Sequence, residues 1–244
     1  MHAILGITAA FTSHVPAMHQ TIDPAILYFG TPVALISTLN DDGSPNLAPM
    51  SSLWWLGRSC MLGFGARSHS PKNIRATREC VINLPSVDQV AAVNRLARTT
   101  GSDPVPPHKV AMGYRHERDK FGAAELSPLA SDLVAAPRVA ECPVQLEAIV
   151  EAEHPLAVSD PLRAGNLTSF EVRIVRVHVN ESIRMDGHAD RIDPDRWRPL
   201  IMSFTQFYGL GDRVHHSTLA EIPESAYRPR PTANGLALQG ELRR

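Results

Sequence analysis

The sequence predicts a mainly β domain, with a barrel-like sheet core and flanking helices. Three observations carry this. Strand-like segments outnumber helical ones and are joined mostly by short turns. One long segment, Phe170 to Val179, alternates and then changes phase between Ile174 and Val175, as a β-bulge would make it do. The composition, 43% hydrophobic and 20% charged over 244 residues, suits a globular chain that buries a real core.

Taken in order, the first 25 residues mix polar and apolar character and are expected to wrap the domain. Ala3 to Phe11 is a short apolar run, yet the first Lys or Arg is Arg58. A secretory signal starts with basic residues, so this run is read as part of the fold. Val33 to Leu39 (VALISTL) reads as a strand, and Asn40-Asp41-Asp42-Gly43 as a hairpin turn. Asn46 to Trp55 reads as the return strand, with Pro49 marking an edge or a bulge because proline cannot donate to a ladder. Adjacent Trp54 and Trp55 face opposite sides of that strand, one toward core and one toward an interface. Cys60 to Phe64 is a third strand.

Ser70-Pro71 predicts a helix N-cap followed by proline at the first helical position, with the helix ending near Arg78 or Glu79. Cys80 to Leu84 returns to strand and Pro85 stops it. Val87, Val90, Val93, Leu96 and Ala97 recur at helical spacing and predict a helix over Val87 to Arg98. Thr99 to Pro128, rich in Pro and Gly, is expected to be a long lid or binding loop. Val144, Leu146, Ala148 and Val150 alternate with Gln145, Glu147 and Ile149 in a strand. Pro194 to Leu200 is expected to be a short helix and Met202 to Tyr208 a final strand. The expected organisation is one domain over residues 1–226 with a loose tail over 227–244.

Several function classes are disfavoured. The 24 Lys and Arg balance 25 Asp and Glu, so no general nucleic-acid or anionic-membrane surface is expected. No apolar run approaches the roughly 20 residues that span a bilayer. Cys60, Cys80 and Cys142 are isolated, and their sparse, odd count fits inert buried thiols in a reducing cytosol. The 11 histidines are scattered without metal-ligand spacing, so no metal site is expected.

The most informative stretch is Gly63 to Thr77 (GFGARSHSPKNIRAT). A strand ends, a small turn follows and a helix begins, whose N-terminus offers unpaired N–H groups and the positive end of its dipole. Arg67, Ser68, His69, Ser70, Lys72 and Asn73 surround it, with Thr77 one turn further on. This is a recipe for a phosphate site, without the Walker spacing. The same residues also fit an ordinary capped, solvated helix, and spacing alone leaves both open. The second stretch, Asn46 to Ser52 (NLAPMSS), could offer backbone N–H groups and the Ser51 and Ser52 hydroxyls to a planar heterocycle; taken alone, its serines read as solvated.

TPVALIST, then Asp42-Gly43, then NLAPMSS, then SPKNIRATRECVINLP, and later PRVAECPVQLE, resemble the flavin reductase-like family of FMN-binding split-barrel proteins. The fragments occur in the family's order over about residues 25–210, while Thr99 to Gly122 and Phe207 to Ser217 depart from its pattern. The resemblance implies a six-stranded Greek-key split β-barrel and a homodimer with FMN near the subunit interface. It implies that Asn46, Ala48, Pro49, Met50, Ser51 and Ser52 hold the isoalloxazine and ribityl groups, largely through backbone. Arg67, His69, Ser70, Lys72 and Asn73, with Thr77 beside them, fall where the family holds the 5′-phosphate.

The expected activity is an NAD(P)H-dependent flavin reductase, with NADH or NADPH passing hydride to flavin N5. FMN is the expected flavin and FAD the alternative. No catalytic side chain is required, because the flavin carries the chemistry. Tyr208 and His215 are candidates for covering the flavin or contacting substrate, against plain packing for the first and solvation for the second. A separate monooxygenase is an expected recipient of reduced flavin. The competing reading is an FMN-binding protein without such turnover, a flavin carrier or an oxidase on another substrate.

Overall fold

The computed structural model describes residues 18–228. The apolar run Ala3–Phe11 and nearly all of the expected tail lie outside the described residues. The strands are β1 Phe29–Pro32, β2 Ala34–Leu39, β3 Pro45–Met50, β4 Leu53–Leu56 and β5 Ser59–Gly65. Then come α1 His69–Thr77, β6 Glu79–Leu84, α2 Val90–Leu96, β7 Thr99–Thr100, α3 Pro107–Ala111, β8 Arg115–His116, α4 Lys120–Ala124, β9 Pro128–Leu129 and β10 Arg138–Val139. Two long strands, β11 Val144–Leu156 and β12 Leu167–Val179, precede the hairpin of β13 Leu200–Ser203 and β14 Gln206–Gly209.

The main sheet runs β3-β2-β6-β11-β12-β5-β4. Its two edges, β3 and β4, are consecutive in the chain and separated only by Ser51 and Ser52. Counted as one bent strand, they turn seven segments into a closed six-stranded barrel, and Gly63 N–H donates to Ser52 O at 2.8 Å, carrying the β4–β5 ladder into the seam. The single return strand expected over Asn46 to Trp55 is therefore two strands on opposite sheet edges. Pro49 lies on β3, an outer lane where a missing N–H costs no ladder bond.

Alternation decides what each strand buries. Ala34 and Ile36 of β2, Cys80 and Ile82 of β6, Leu146 and Ala148 of β11, and Phe170 and Val172 of β12 fill the barrel interior. Trp55 packs against that core, while Trp54 is 57% exposed. Leu35 and Leu47 point outward and pack under α2 and α4 with Val93, Leu96 and Phe121. The phase change near Val175 is a bulge: Glu147 faces Arg176 and Ala148 faces Ile174, leaving Val175 as the extra residue. All three cysteines are free and buried, and burial pushes the Cys60 and Cys80 thiols up to about 12.

Several local expectations are corrected. Helix α1 is capped two residues earlier than expected, at Ser68, whose backbone is extended (φ −73°, ψ 164°). Ser70 is inside the helix and buried, and Pro71 sits in the first turn, where its missing N–H has no partner to lose. The helix expected over Val87 to Arg98 begins as a 3-10 turn, Val87–Gln89, held by a Ser86/Gln89 capping box, and continues as α2. The long loop from Thr99 is organised by α3, α4 and the parallel pair β7–β8. Pro194 to Leu200 forms turns rather than a helix, since Pro199 holds the preceding residue extended. The expected last strand is a hairpin, with Phe204 (φ 44°) and Thr205 (φ 66°) both left-handed at its two-residue turn.

Glu147 ties the loop ahead of β10 to the barrel. Its side chain is fully buried, accepts the Asp132, Leu133 and Val134 amides, and meets His178 Nε2 at 2.6 Å. Glu147, His178 and Asp132 lie close enough to suggest a metal site, but those four contacts already occupy the Glu147 oxygens. Burial works to raise the Glu147 pKa, yet the Asp132 amide, His178 and the Leu133 amide together hold it below the usual carboxylate range. Its folded pKa being depressed, its contribution is present above the unfolded value and lost as pH falls through the folded one. Replacing Glu147 with Ala is expected to lower stability by about 3 kcal/mol at pH 7, because buried amides lose their acceptor. Urea unfolding of both proteins at pH 7 and near pH 3 checks this: the difference should shrink on acidification.

Candidate functional site

The barrel seam opens into a cleft of about 980 Å³. The seam supplies Pro49, Met50, Ser51 and Ser52, β5 supplies Gly63, Phe64 and Gly65, α2 supplies Val93 and Asn94, and the turn after it supplies Arg98. Phe207 and Thr205 of the last hairpin and Tyr114 ahead of β8 complete the walls. The Ser51 and Ser52 amides make no hydrogen bond among the described residues, because the chain leaves one sheet edge before joining the other. Two free N–H donors thus stand in a wall that is otherwise largely apolar. The Ser52 hydroxyl is fixed by Tyr28 at 2.7 Å. Gly63 must be small here, since a Cβ would lie 3.1 Å from Ser52 Cβ.

Gly65 also lines a second cavity of about 540 Å³, with Arg67, Ser68, His108, Lys109 and Asn166. Arg67 donates to Asn166 Oδ1 at 2.7 Å and has no carboxylate partner among the described residues. Lys109 Nζ lies 5.5 Å from the centre of the Tyr114 ring, linking this cavity to the wall of the first. Burial lowers the Lys109 pKa. Behind it Lys120 is 3% exposed, and burial, followed by the Lys109 charge, pushes its ammonium down to about 8.

The remaining residues expected at a phosphate site face elsewhere. His69 and Lys72 line a third depression of about 320 Å³ beside the β2–β3 turn. There His69 meets Asn40 at 2.7 Å and Lys72 pairs with Asp41 at 2.6 Å. Burial lowers the His69 pKa, and the Lys120 and Lys72 charges lower it further. Ser70, Asn73 and Asn46 form a buried network: Asn46 donates to Ser70 and Thr38, and Asn73 donates to Thr38 and Asn40. Asn73 Oδ1 is buried without a partner. Thr77 closes α1 by donating to Asn73 O. Ala48 lies on β3, opposite Ile36. Tyr208 is exposed on the far side of the hairpin from Phe207, and His215 is exposed beyond it; neither lines the cleft.

Sequence reasoning missed Tyr28, Arg98, Lys109, Tyr114 and Lys120. Tyr28 precedes β1 with no motif around it. The other four lie in or next to the segment read as a long loop, where periodicity carried no signal.

A family model, described as flavin reductase like domain, matches residues 26–211. The uncharacterized protein YdfE of Bacillus subtilis (strain 168) is 38% identical over 195 residues, covering 80% of this chain and 91% of its own. Among solved structures, flavoredoxin of Desulfovibrio vulgaris (Miyazaki F) superposes with a TM-score of 0.66 at 20% identity, covering 84% of this chain and 100% of that one. Nitrilotriacetate monooxygenase component B from Bacillus cereus superposes with a TM-score of 0.64 at 20% identity, covering 82% and 100%. With the split barrel, its seam cleft and the model match over most of its length, the chain belongs to the flavin reductase-like family.

Proposed function

We propose that this chain is an FMN-binding NAD(P)H:flavin oxidoreductase. The carrying observation is the pair of unpartnered Ser51 and Ser52 amides in the wall of a cleft that runs, through Gly65, into a cation-lined cavity. That donor set fits a flavin: an apolar slot for the ring, N–H donors for its acceptor edge, and cations for its phosphate. Met50, Phe64 and Phe207 hold the ring and exclude water, and Pro49 to Ser52 line its edge. The Ser51 and Ser52 amides favour the negative charge that gathers at that edge on reduction. Arg67, Ser68 and Lys109 hold the phosphate, with Lys120 adding charge from behind. Asn46, His69, Ser70, Lys72, Asn73 and Thr77 hold α1 and the β2–β3 turn in place, and Ala48 pairs β3 with β2, so their part is to position α1 rather than to touch the phosphate. A bound flavin supplies hydride acceptance at N5 from a nicotinamide donor, which no side chain here provides. Tyr114, Arg98 and Phe207 face the space left for that donor.

A homodimer through the exposed Trp54 and Leu56 of β4, next to the seam, would cover this apolar edge. A monooxygenase is proposed as the recipient of reduced flavin, in keeping with the component named in the Bacillus cereus structure. Three buried free thiols suit a reducing cytoplasm.

The direct test is the visible spectrum before and after anaerobic NADH and NADPH. A flavin band that bleaches with either nucleotide is expected. A stable flavin that neither bleaches points to the non-reductase reading, and no flavin uptake overturns the site.

Arg67→Ala and Lys109→Ala are each expected to weaken FMN about tenfold or more while leaving riboflavin unchanged, since a charged hydrogen bond contributes about 1.5–3 kcal/mol. Equal losses for both ligands, measured by flavin fluorescence quenching, would overturn the phosphate assignment.

Lys120 makes a linked prediction. Its folded pKa of about 8 lies below the ordinary lysine value, so between the two the unfolded chain binds more protons and stability rises with pH. Lys120→Met is expected to stabilise the flavin-free protein at pH 7 by on the order of 1–3 kcal/mol, while weakening FMN. Thermal melts from pH 7 to 10.5 should show the gain shrinking with rising pH.

A further inference from the structure

The lower half of β12 has a free edge. β5 pairs with β12 only from Leu167 to Arg173, and the chain turns away at Arg58. Ile174 N–H still donates to Arg58 O at 2.8 Å, and from Val175 to Val179 β12 is paired on one side only, by β11, among the described residues. The lane that β5 would have continued is a cleft of about 930 Å³. Its far wall is the 184–192 loop, closed by an Arg184–Ile192 bridge, and the 3-10 turn Glu224–Tyr227 flanks it. At about 3.3 Å per residue, Val177 is roughly 30 Å along the strand from Leu167 at the seam cleft, so this site is separate from the flavin cleft.

Its chemistry is marked. Val175, Val177, Val179 and Ile192 line it, with Val177 44% exposed. Five arginines, Arg58, Arg176, Arg184, Arg191 and Arg228, stand against two carboxylates, Asp190 and Glu224. Those carboxylates are spent on Arg228 and Arg191. Arg58 and Arg184 donate only to the carbonyls of Ile174 and Ala189 and have no anionic partner among the described residues. In a chain of net charge −1, this is a local excess of positive charge beside an unpaired strand edge.

We propose that this cleft docks an extended acidic segment of a partner protein, which adds a strand beside Val175–Val179. Backbone hydrogen bonds along the free edge supply affinity, and Arg58 and Arg184 select carboxylates over cations. Charge complementarity favours an acidic partner segment over the chain's own ends. Residues 1–17 carry no Asp or Glu, and residues 229–244 carry three arginines and one carboxylate. A second copy meeting this patch face to face would set arginines against arginines.

The test uses the full-length protein with a labelled ten-residue peptide of alternating glutamate and valine, and its lysine–valine counterpart as control. Fluorescence anisotropy measures affinity, and amide chemical shifts locate the site. Binding of the acidic peptide alone is expected, with shifts centred on residues 174–179 and 184–192. Arg58→Glu with Arg184→Glu should weaken it about tenfold or more, and the glutamine pair should fall in between. Melting curves confirm that the variants fold. Equal binding of the lysine peptide, no response to charge reversal, or shifts elsewhere would overturn the proposal. So would shifts from benzoate with none from the peptide, which would mark a small-anion pocket. Arginine-dependent self-association without peptide binding would instead assign the edge to a second copy.

Discussion

The two-residue seam at Ser51–Ser52 is the constraint on which the rest of the structure depends. Closing a barrel usually satisfies every ladder group. Here the chain changes partners from β2 to β5 within two residues, and two amides are left with neither. Buried away from water and unpaired, such donors would be costly. Here both residues line a cleft rather than the core. The same step sets Gly63 against Ser52, so the wall is backbone on both sides and a planar ligand can approach it closely.

Electrostatics extends that geometry along β5 into α1 and α3. Arg67 leaves the strand end, and Lys109 arrives from the loop region. Lys120 holds an ammonium almost without solvent and beside another cation, an arrangement that folding alone does not favour. The Glu117 charge offsets this only in part, and a ligand anion in the neighbouring cavity would offset more of it. The third depression shows the opposite case. There Lys72 and Arg118 are matched by Asp41 and Asp42, and the cations are consumed internally.

Much of this was legible in the chain because strands advertise their faces. Alternation identified the inward residues of β11, and a one-residue slip located the Val175 bulge before any coordinates did. Proline and the Asp-Gly turn bounded the first hairpin. Illegible features were those where backbone geometry overrides residue preference. Phe204 and Thr205 form a left-handed turn with neither Asn nor Gly, so the last hairpin read as one strand. Asn46 to Trp55 read as one strand because a seam leaves no compositional trace, only a change of partner. At the candidate site, side-chain direction divides the expected residues. Arg67 faces the cavity that joins the seam cleft, whereas His69 and Lys72, two and five positions on, face the β2–β3 turn.

The segments that depart from the family pattern acquire a meaning from this division. Thr99 to Gly122 supplies Tyr114 and Lys109, and Phe207 opens the other departing segment. Tyr114 and Phe207 line the seam cleft, and Lys109 lines the cavity beside it. The seam wall is set by backbone and by barrel closure. The opposite wall is built from side chains on short elements, α3, β8 and the last hairpin, which vary without disturbing barrel closure. The first wall is therefore fixed by barrel closure, and the second by the choice of side chains.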